Sequence, residues 1–456
     1  MPAEKTYDTV IRGGLVADVV NSSFSAVNIG IEGEHITRVT PSGITGKAEI
    51  DAAGLVVSPG FVDFHSHVDG NLYSAECMAR QGGTTTIGGE RNLNSRVIHR
   101  IHEEGFLINQ GFAVSHSFVL RNAAGVMPNE PATAQQVRAM ADLASRFMEQ
   151  GAFGIAFGLE LVPGTSYEEI RRLSEVAQSY DRPILVHLRK DGWEALQCFD
   201  EIIRVCGETG VRAQILQLLY MVGIGGAMDS ALTIMDKARA KGLDITADTG
   251  LYDAFSVCIG TGVFDDGWEK EYGGASVKDL LISSGIYVGS YCDEERFQLL
   301  RREYPETLIS AFVCDSDAIR MPLKKDYVFV STNAADGPHY MNVGAPEISG
   351  TFPRLLGRHV RERGDISMMD ALKKITILPA RRYGIDGVGS IEEGKAADIV
   401  IFDADRIIDN ADFVDRGRPD APPDGIPYVL INGKIVVRDG RLTDNRNSGR
   451  LLMKWN

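Results

Sequence analysis

Apolar and polar residues alternate with period two through TVIRGGLV (9–16), VNIGIEG (27–33), HITRVTP (35–41) and AAGLVVSPG (52–60), with Gly and Pro between the runs. That pattern reads as antiparallel β structure. The same character returns in ADIVIFDAD (397–405) and in YVLINGKIVVRDGRL (428–442), where Asn432-Gly433 predicts a two-residue hairpin. The two ends, 1–58 and 385–456, are therefore expected to form one small β-sandwich around a central domain spanning 59–384.

Within that central part eight short apolar runs alternate with helical segments: GFVDFHSH, TTTIGGE, FAVSHSFV, FGIAFGL, PILVHL, AQILQLL, LDITADT and YVFVSTN. Strands alternating with helices imply a parallel sheet, and eight such units predict closure into an α/β barrel of the (β/α)8 type. Helix starts are legible too. Thr133 with Gln136 and Thr165 with Glu168 each have capping-box spacing ahead of an apolar stripe. The stretch 250–300 mixes Gly, Asp and aromatics and reads as an active-site insertion, whereas the Pro-rich 417–427 reads as a surface loop.

Composition narrows the function. The 456 residues exceed the roughly 250 of a lone barrel, which leaves room for one further small domain. Forty-seven basic against 62 acidic side chains give a formal charge of −15, a field that repels nucleic-acid phosphates and favours a small-molecule partner. No apolar run reaches the roughly 20 residues of a membrane span, and MPAEKTYDTVIRGG lacks the apolar core of a signal peptide, so a cytoplasmic protein is expected. The six cysteines, Cys77, Cys198, Cys206, Cys258, Cys292 and Cys314, form no C-x-x-C pair and read as reduced, buried thiols. A homo-oligomer is the expected assembly.

The chemistry sits at strand ends. His65 and His67 close the first run, and period two points both to one face. His187 closes the fifth and Asp336 follows the eighth. A lone His-x-His pair also occurs among core histidines, and His187 or Asp336 alone could serve packing or loop capping. Together at the C-terminal rim of a barrel, they form a donor set suited to a catalytic divalent ion such as zinc. His116 on the third strand could polarise a substrate oxygen or be a satisfied core histidine. Arg121, Arg189 and Lys190 are candidate anion contacts, and Tyr220, Tyr252 and Tyr340 candidate pocket residues. His35, His99, His102 and His359 have no partner at ligand spacing and read as surface or packing residues.

These residues also carry a resemblance. PGFVDFHSH followed by QGGTTTIGG resembles the opening of amidohydrolases. SHSFVLRNAAGVM, MEQGAFGIAFGLELVPG, VHLRKDG, SGTFPRLLGRHVRERGDISMMDALKKITILPARRYGI and GSIEEGKAADIVIFD resemble the N-acyl-D-amino-acid deacylases, or D-aminoacylases, in particular. The resemblance implies the same barrel and sandwich. It further implies that His65, His67 and Asp336 hold a first metal, that Asp336 also takes the proton of the attacking water, and that His187 matches a ligand of a second metal. The spacing from Asp336 to Gly350-Thr351-Phe352-Pro353-Arg354 favours Asp336 over Asn333 for this role.

The chain departs from that pattern in informative places. Where the family has a cysteine after strand 2, this chain has Arg91 with Glu90 beside it, and Gln217 stands for the strand-6 histidine. An arginine has no lone pair to donate and brings a fixed positive charge. One zinc ion is therefore expected rather than two, with Glu90 a bridging ligand only if the turn is shifted by one residue. The end of strand 4 carries no lysine to bridge metals as a carbamate. Ala345-Pro346-Glu347 replaces the basic approach to the GTFPR segment, which leaves a substrate carboxylate without its usual cation. Arg91, Arg189, Gln217 and Tyr252 are the expected substrate contacts. The expected activity is metal-dependent hydrolysis of an amide C–N bond in an atypical small-molecule substrate. A hydantoinase-like opening of a cyclic amide, and a ligand-binding descendant without hydrolytic activity, are the alternatives.

Overall fold

The computed structural model describes residues 5–68, 71–88, 105–333 and 344–454. Glu90, Arg91, His99, His102, Asp336 and Tyr340 lie outside the described residues.

All eight predicted central strands are present: Phe61–Asp63 (β1), Gly83–Gly88 (β2), Asn109–Phe112 continued by Val114–Ser115 (β3), Ile155–Gly158 (β4), Ile184–His187 (β5), Ala213–Ile215 (β6), Ile245–Thr249 (β7) and Val328–Val330 (β8). Each pairs in parallel with the next in chain order from β1 to the first part of β3, and again from the second part of β3 to β8. Side-chain alternation assigns each face a task. Ile184 and Val186, Ala213 and Ile215, Ile245 and Ala247, and Val328 and Val330 join the buried cluster shared with the surrounding helices. The intervening face supplies a second cluster in which Phe64, Ile87, Ala113, Ala156, Leu185, Leu216 and Phe329 meet. Asp248 occupies that second face of β7, one residue from Ala247 and Thr249, which is why a carboxylate points inward from an apolar strand.

The helices follow their sequence signals with one shift. Thr133 caps Ala134–Glu149 and forms the capping box with Gln136. The next helix, Tyr167–Ser179, is capped by Ser166 rather than by the expected Thr165. Thr165 instead donates its hydroxyl to the Val162 carbonyl at 2.8 Å. Glu169 at N3 turns into the interior, where Arg121 donates to both of its oxygens at 2.8 and 2.9 Å. A buried ion pair thus overrides the capping-box geometry.

Between β7 and β8 the chain builds the expected insertion, an antiparallel sheet with Leu308–Ala311 flanked by Phe255–Cys258 and Leu280–Ile282. It has its own aromatic core of Phe264, Trp268, Tyr272 and Phe297. The 417–427 stretch is more anchored than a surface loop: Asp420 is buried and accepts the Tyr73 hydroxyl at 2.6 Å.

The chain ends meet in one seven-stranded sheet. Leu15–Asp18, Ser23–Ala26 and Val56–Pro59 join Ile399–Phe402, Tyr428–Ile431, Lys434–Arg438 and Arg441–Leu442. A four-stranded sheet of Thr6–Arg12, Asn28–Glu32, His35–Thr40 and Thr45–Asp51 shares a buried cluster with it, including Ile11, Ile29 and Ile50 from one sheet and Val57, Ile399 and Leu430 from the other. The hairpin turn is the predicted one: Asn432 has φ 46° and Gly433 φ 75°, the left-handed pair that a tight hairpin requires. Among the described residues no helix is long and apolar enough to cross a membrane. None of the six cysteines is in a disulfide; Cys77, Cys206 and Cys292 are buried, and the other three are partly exposed.

Candidate active site

His65 and His67 stand just past β1, each 4% exposed, with ring centroids 5.6 Å apart and planes at 76°. The backbone holds His65 from two sides: its N–H donates to Asp63 Oδ1 at 3.1 Å, and its carbonyl accepts the Asn333 N–H at 3.0 Å. Its imidazole is fixed by Asp248, with Nδ1 3.1 Å from Asp248 Oδ1. Asp248 has no solvent exposure and also accepts the Gln217 backbone N–H at 3.0 Å and the Ser331 hydroxyl at 2.7 Å. This network assigns the His65 proton to Nδ1, and Nε2 faces the Gln217 amide nitrogen at 3.4 Å. A carboxylate behind a histidine is the usual support of a metal-binding imidazole, so the donor chemistry here fits a divalent ion.

Gln217 follows β6 with its backbone in the left-handed region, φ 54°. That conformation costs a non-glycine residue roughly 1–2 kcal/mol. In return its N–H reaches Asp248, and its side-chain amide donates to Asn333 Oδ1 at 2.6 Å while lying 3.4 Å from His65 Nε2. Asn333, at φ 43°, is the second non-glycine residue held in this region at the site.

His67, His187, Gln217 and Asn333 line a cavity of about 310 Å3, whose opposite wall is formed by Phe255, Val257 and Tyr272 of the insertion. Glu160, two residues past β4, and Asp191, past β5, face the same space. The described lining contains these two carboxylates and no lysine or arginine. His187 Nδ1 lies 3.2 Å from Glu160 Oε2. Burial pushes the Asp191 carboxyl up to about 6, against the opposing pull of His187 and the Tyr272 hydroxyl.

Several expected residues are engaged elsewhere. His116 is fully buried, with Nε2 2.8 Å from Glu169 Oε1 and its ring against Phe157. Arg121 is committed to the same Glu169 and to the Met127 and Glu130 carbonyls. Arg189 donates to Glu201 and to the Thr165 carbonyl, because a nearby carboxylate captures its long side chain before it reaches the cavity. Tyr252 is 1% exposed, stacked under Arg354 at 4.2 Å and edge-on to Phe413. Lys190 lies 3.8 Å from Glu271. His359 packs beside Asp365 and His35 is exposed, as expected of both. Sequence reading passed over Glu160, Asp191 and Asp248. The available signal was a carboxylate at or within four residues of a strand's C-terminal end.

Tyr220 lines the cavity and donates to Glu347 Oε1 at 2.8 Å. Burial pushes the Glu347 carboxyl from 4.5 up to about 7. The folded chain therefore holds this proton more tightly than the unfolded one. Stability from this group is complete below about pH 4.5 and is lost as pH rises to about 7, by up to about 3 kcal/mol. Glu347→Gln cannot ionise and keeps an acceptor for Tyr220. In denaturant unfolding at pH 5 and pH 8, its stability relative to wild type is expected to rise by up to that amount at the higher pH. An equal difference at both pH values would show that the carboxyl does not titrate in this range.

Two models, both of an amidohydrolase family, match residues 56–211 and 319–437. The chain is 27% identical to the N-acyl-D-glutamate deacylase of Alcaligenes xylosoxydans xylosoxydans, over 99% of this chain and 97% of that protein. It is 26% identical to the D-aminoacylase of the same organism, over 98% of both. The crystal structure of the N-acyl-D-glutamate deacylase from Bordetella bronchiseptica, complexed with zinc and a phosphonate inhibitor, superposes with a TM-score of 0.87 at 23% identity, covering 98% of this chain and 100% of that one. From its sequence matches the chain belongs to the amidohydrolase family, and within it the chain is similar to the D-aminoacylase branch.

Proposed function

We propose that this protein hydrolyses an amide C–N bond in a small molecule, using a zinc ion held by His65, His67 and Asp336. The observation that carries the reading is Asp248 fixing His65 Nδ1, the carboxylate support expected behind a metal-binding imidazole. The deacylase relatives support the reaction class. When bound, zinc would polarise the scissile carbonyl and lower the pKa of the attacking water. Asp336 takes the proton of that water and returns it to the leaving nitrogen. The Phe255–Cys258 strand and Tyr272 exclude bulk water from one side of the cavity. Glu90 keeps its place as a candidate bridging ligand. The buried pairing of His116 with Glu169 supports a packing role for that histidine in place of a catalytic one.

The supporting scaffold is proposed as a closed (β/α)8 barrel over 59–384 with a β-sandwich from 1–58 and 385–456. Closure is supported by contacts between β1 and β8: Thr332 donates through its hydroxyl and N–H to Asp63, and Phe64 meets Phe329 at 5.5 Å. The sandwich is supported by the shared cluster of the two terminal sheets.

Substrate choice follows from charge. Two carboxylates and no described cation line the cavity, and a substrate carboxylate left without its charge-assisted partner forfeits about 1.5–3 kcal/mol, roughly ten- to hundredfold in affinity. N-acetyl-D-amino acids are therefore expected to be poor substrates, with Arg91 the replacement cation for a different polar group. A screen of N-acyl-D-amino acids against cyclic imides, with product analysis, tests this. Two released fragments identify a deacylase, and a single ring-opened product a cyclic amidase. Fast turnover of N-acetyl-D-amino acids would overturn the atypical substrate, and Arg91→Met with unchanged kcat/KM on the active compound would remove Arg91 from the site.

A further inference from the structure

The Phe255–Cys258 strand of the insertion meets the cavity in an unusual way. Phe255, Ser256, Val257 and Cys258 all line it. Successive residues of a strand point to opposite faces, so four in a row border one space only if the backbone edge itself faces that space. The sheet order agrees: this strand is the outermost of three and pairs on one side alone, with Leu308–Ala311. An edge strand presents peptide groups with which another extended chain can pair.

The register identifies those groups. Antiparallel residues pair alternately, one couple exchanging both backbone bonds and the next exchanging none. The Ile259 N–H donates to the Thr307 carbonyl at 2.9 Å, while Val257 opposes Ile309 and Phe255 opposes Ala311. The bonds to Leu308–Ala311 therefore fall at Phe255 and Val257, and Ser256 turns its N–H and carbonyl outward. The far side of the central strand has the complementary phase: the Leu308 carbonyl accepts the Ser283 N–H at 2.8 Å, and the Phe312 N–H donates to the Asp279 carbonyl at 3.0 Å. Among the described residues nothing pairs with the outward Ser256 groups. The Ser256 hydroxyl lies 2.8 Å from Ser310 Oγ, so the side chain fastens the strand and leaves recognition to the backbone.

We propose that Ser256 binds the substrate by strand addition, one residue of an extended, peptide-like substrate exchanging both backbone bonds with it while the scissile amide lies toward His67 in the same cavity. The inference rests on the hydrolase reading and deepens it. It names the substrate class as an N-acylated amide that carries at least one further peptide group. Phe255 and Val257 alternate with Ser256, and Phe118 and Leu161 also line the cavity, so the side chains beside the paired residue meet apolar surface. Backbone pairing also suits a cavity whose described lining holds no lysine or arginine, because it recognises peptide groups without a countercharge.

The test compares blocked ligands on the full, zinc-loaded chain: N-acetyl-D-alanine methylamide, the same compound extended by one alanine, and the extended form N-methylated at each amide in turn. Preference is read by calorimetry for ligands left intact and as kcat/KM for ligands that are hydrolysed. Extension is expected to raise it by roughly tenfold, and N-methylation of one amide to remove that gain. Ser256→Pro deletes the outward N–H and spares the bonds to Leu308–Ala311, a position where an edge strand tolerates proline. It should cut the preference for the extended ligand by roughly threefold or more, whereas Ser256→Ala, which keeps the N–H, should retain it. Thermal unfolding checks that both variants fold, and the N-methylated ligands probe the same pairing in the wild type. No gain on extension, a gain that survives every N-methylation, or an undiminished preference in folded Ser256→Pro would overturn strand addition. Product analysis separates the two readings: hydrolysis without the extension gain fails strand addition alone, and the gain without hydrolysis fails the hydrolase reading alone.

Discussion

Asp336→Asn is expected to fold as wild type and to lose turnover by roughly 10²- to 10⁴-fold, the contribution of a positioned general base. The amide keeps the size of the carboxyl and can still donate a lone pair, but it cannot accept the proton of the attacking water at neutral pH. The measurement is steady-state kinetics on the active compound from the substrate screen, with zinc content determined on the same preparation. A loss of rate with zinc retained assigns the effect to proton transfer, and a loss that tracks zinc content assigns it to ligation. Retention of a tenth of the wild-type rate would show that another group takes the proton.

Asp248→Asn should weaken zinc binding by roughly 10- to 100-fold without contact between residue 248 and the ion, the usual effect of removing a supporting carboxylate. In the wild type one oxygen serves the His65 imidazole, the Gln217 N–H and the Ser331 hydroxyl, and the other accepts the Gln214 amide at 3.3 Å. An asparagine has one acceptor oxygen and no charge, so it holds the His65 ring less firmly and polarises it less. Competition with a chelator reads the affinity directly, and far-UV circular dichroism confirms the fold. Unchanged affinity would mean that His65 is oriented without the carboxylate, which removes the main geometric support for the zinc reading.

The local pattern by itself determined the order and type of elements. Eight apolar runs became eight parallel strands because each is short, β-rich and buried on both faces, a signal that survives without knowledge of neighbours. Asn432-Gly433 specified its own turn, because its left-handed backbone is a property of two residues. The pairing of His65 with His67 was likewise local, a consequence of period two. Where a short-range choice met a long-range charge, the long-range term won. Thr165 and Ser166 are equally able to cap, and the buried attraction between Glu169 and Arg121 selected Ser166.

Only the tertiary structure decided which charged groups share a space. Asp248 lies 183 residues from His65 in the chain and within hydrogen-bond distance of it in the fold. Glu160 and Asp191 flank His187 only because successive strands deliver their ends to one rim. Conversely, Arg189, Tyr252 and His116 looked available in the sequence, yet Glu201, Arg354 and Glu169 engage them. Strand periodicity is written in neighbouring residues, so the sequence states it openly. The partner of a buried charge is set by whichever opposite charge the packed elements bring within reach, and that distance exists only after the chain has folded.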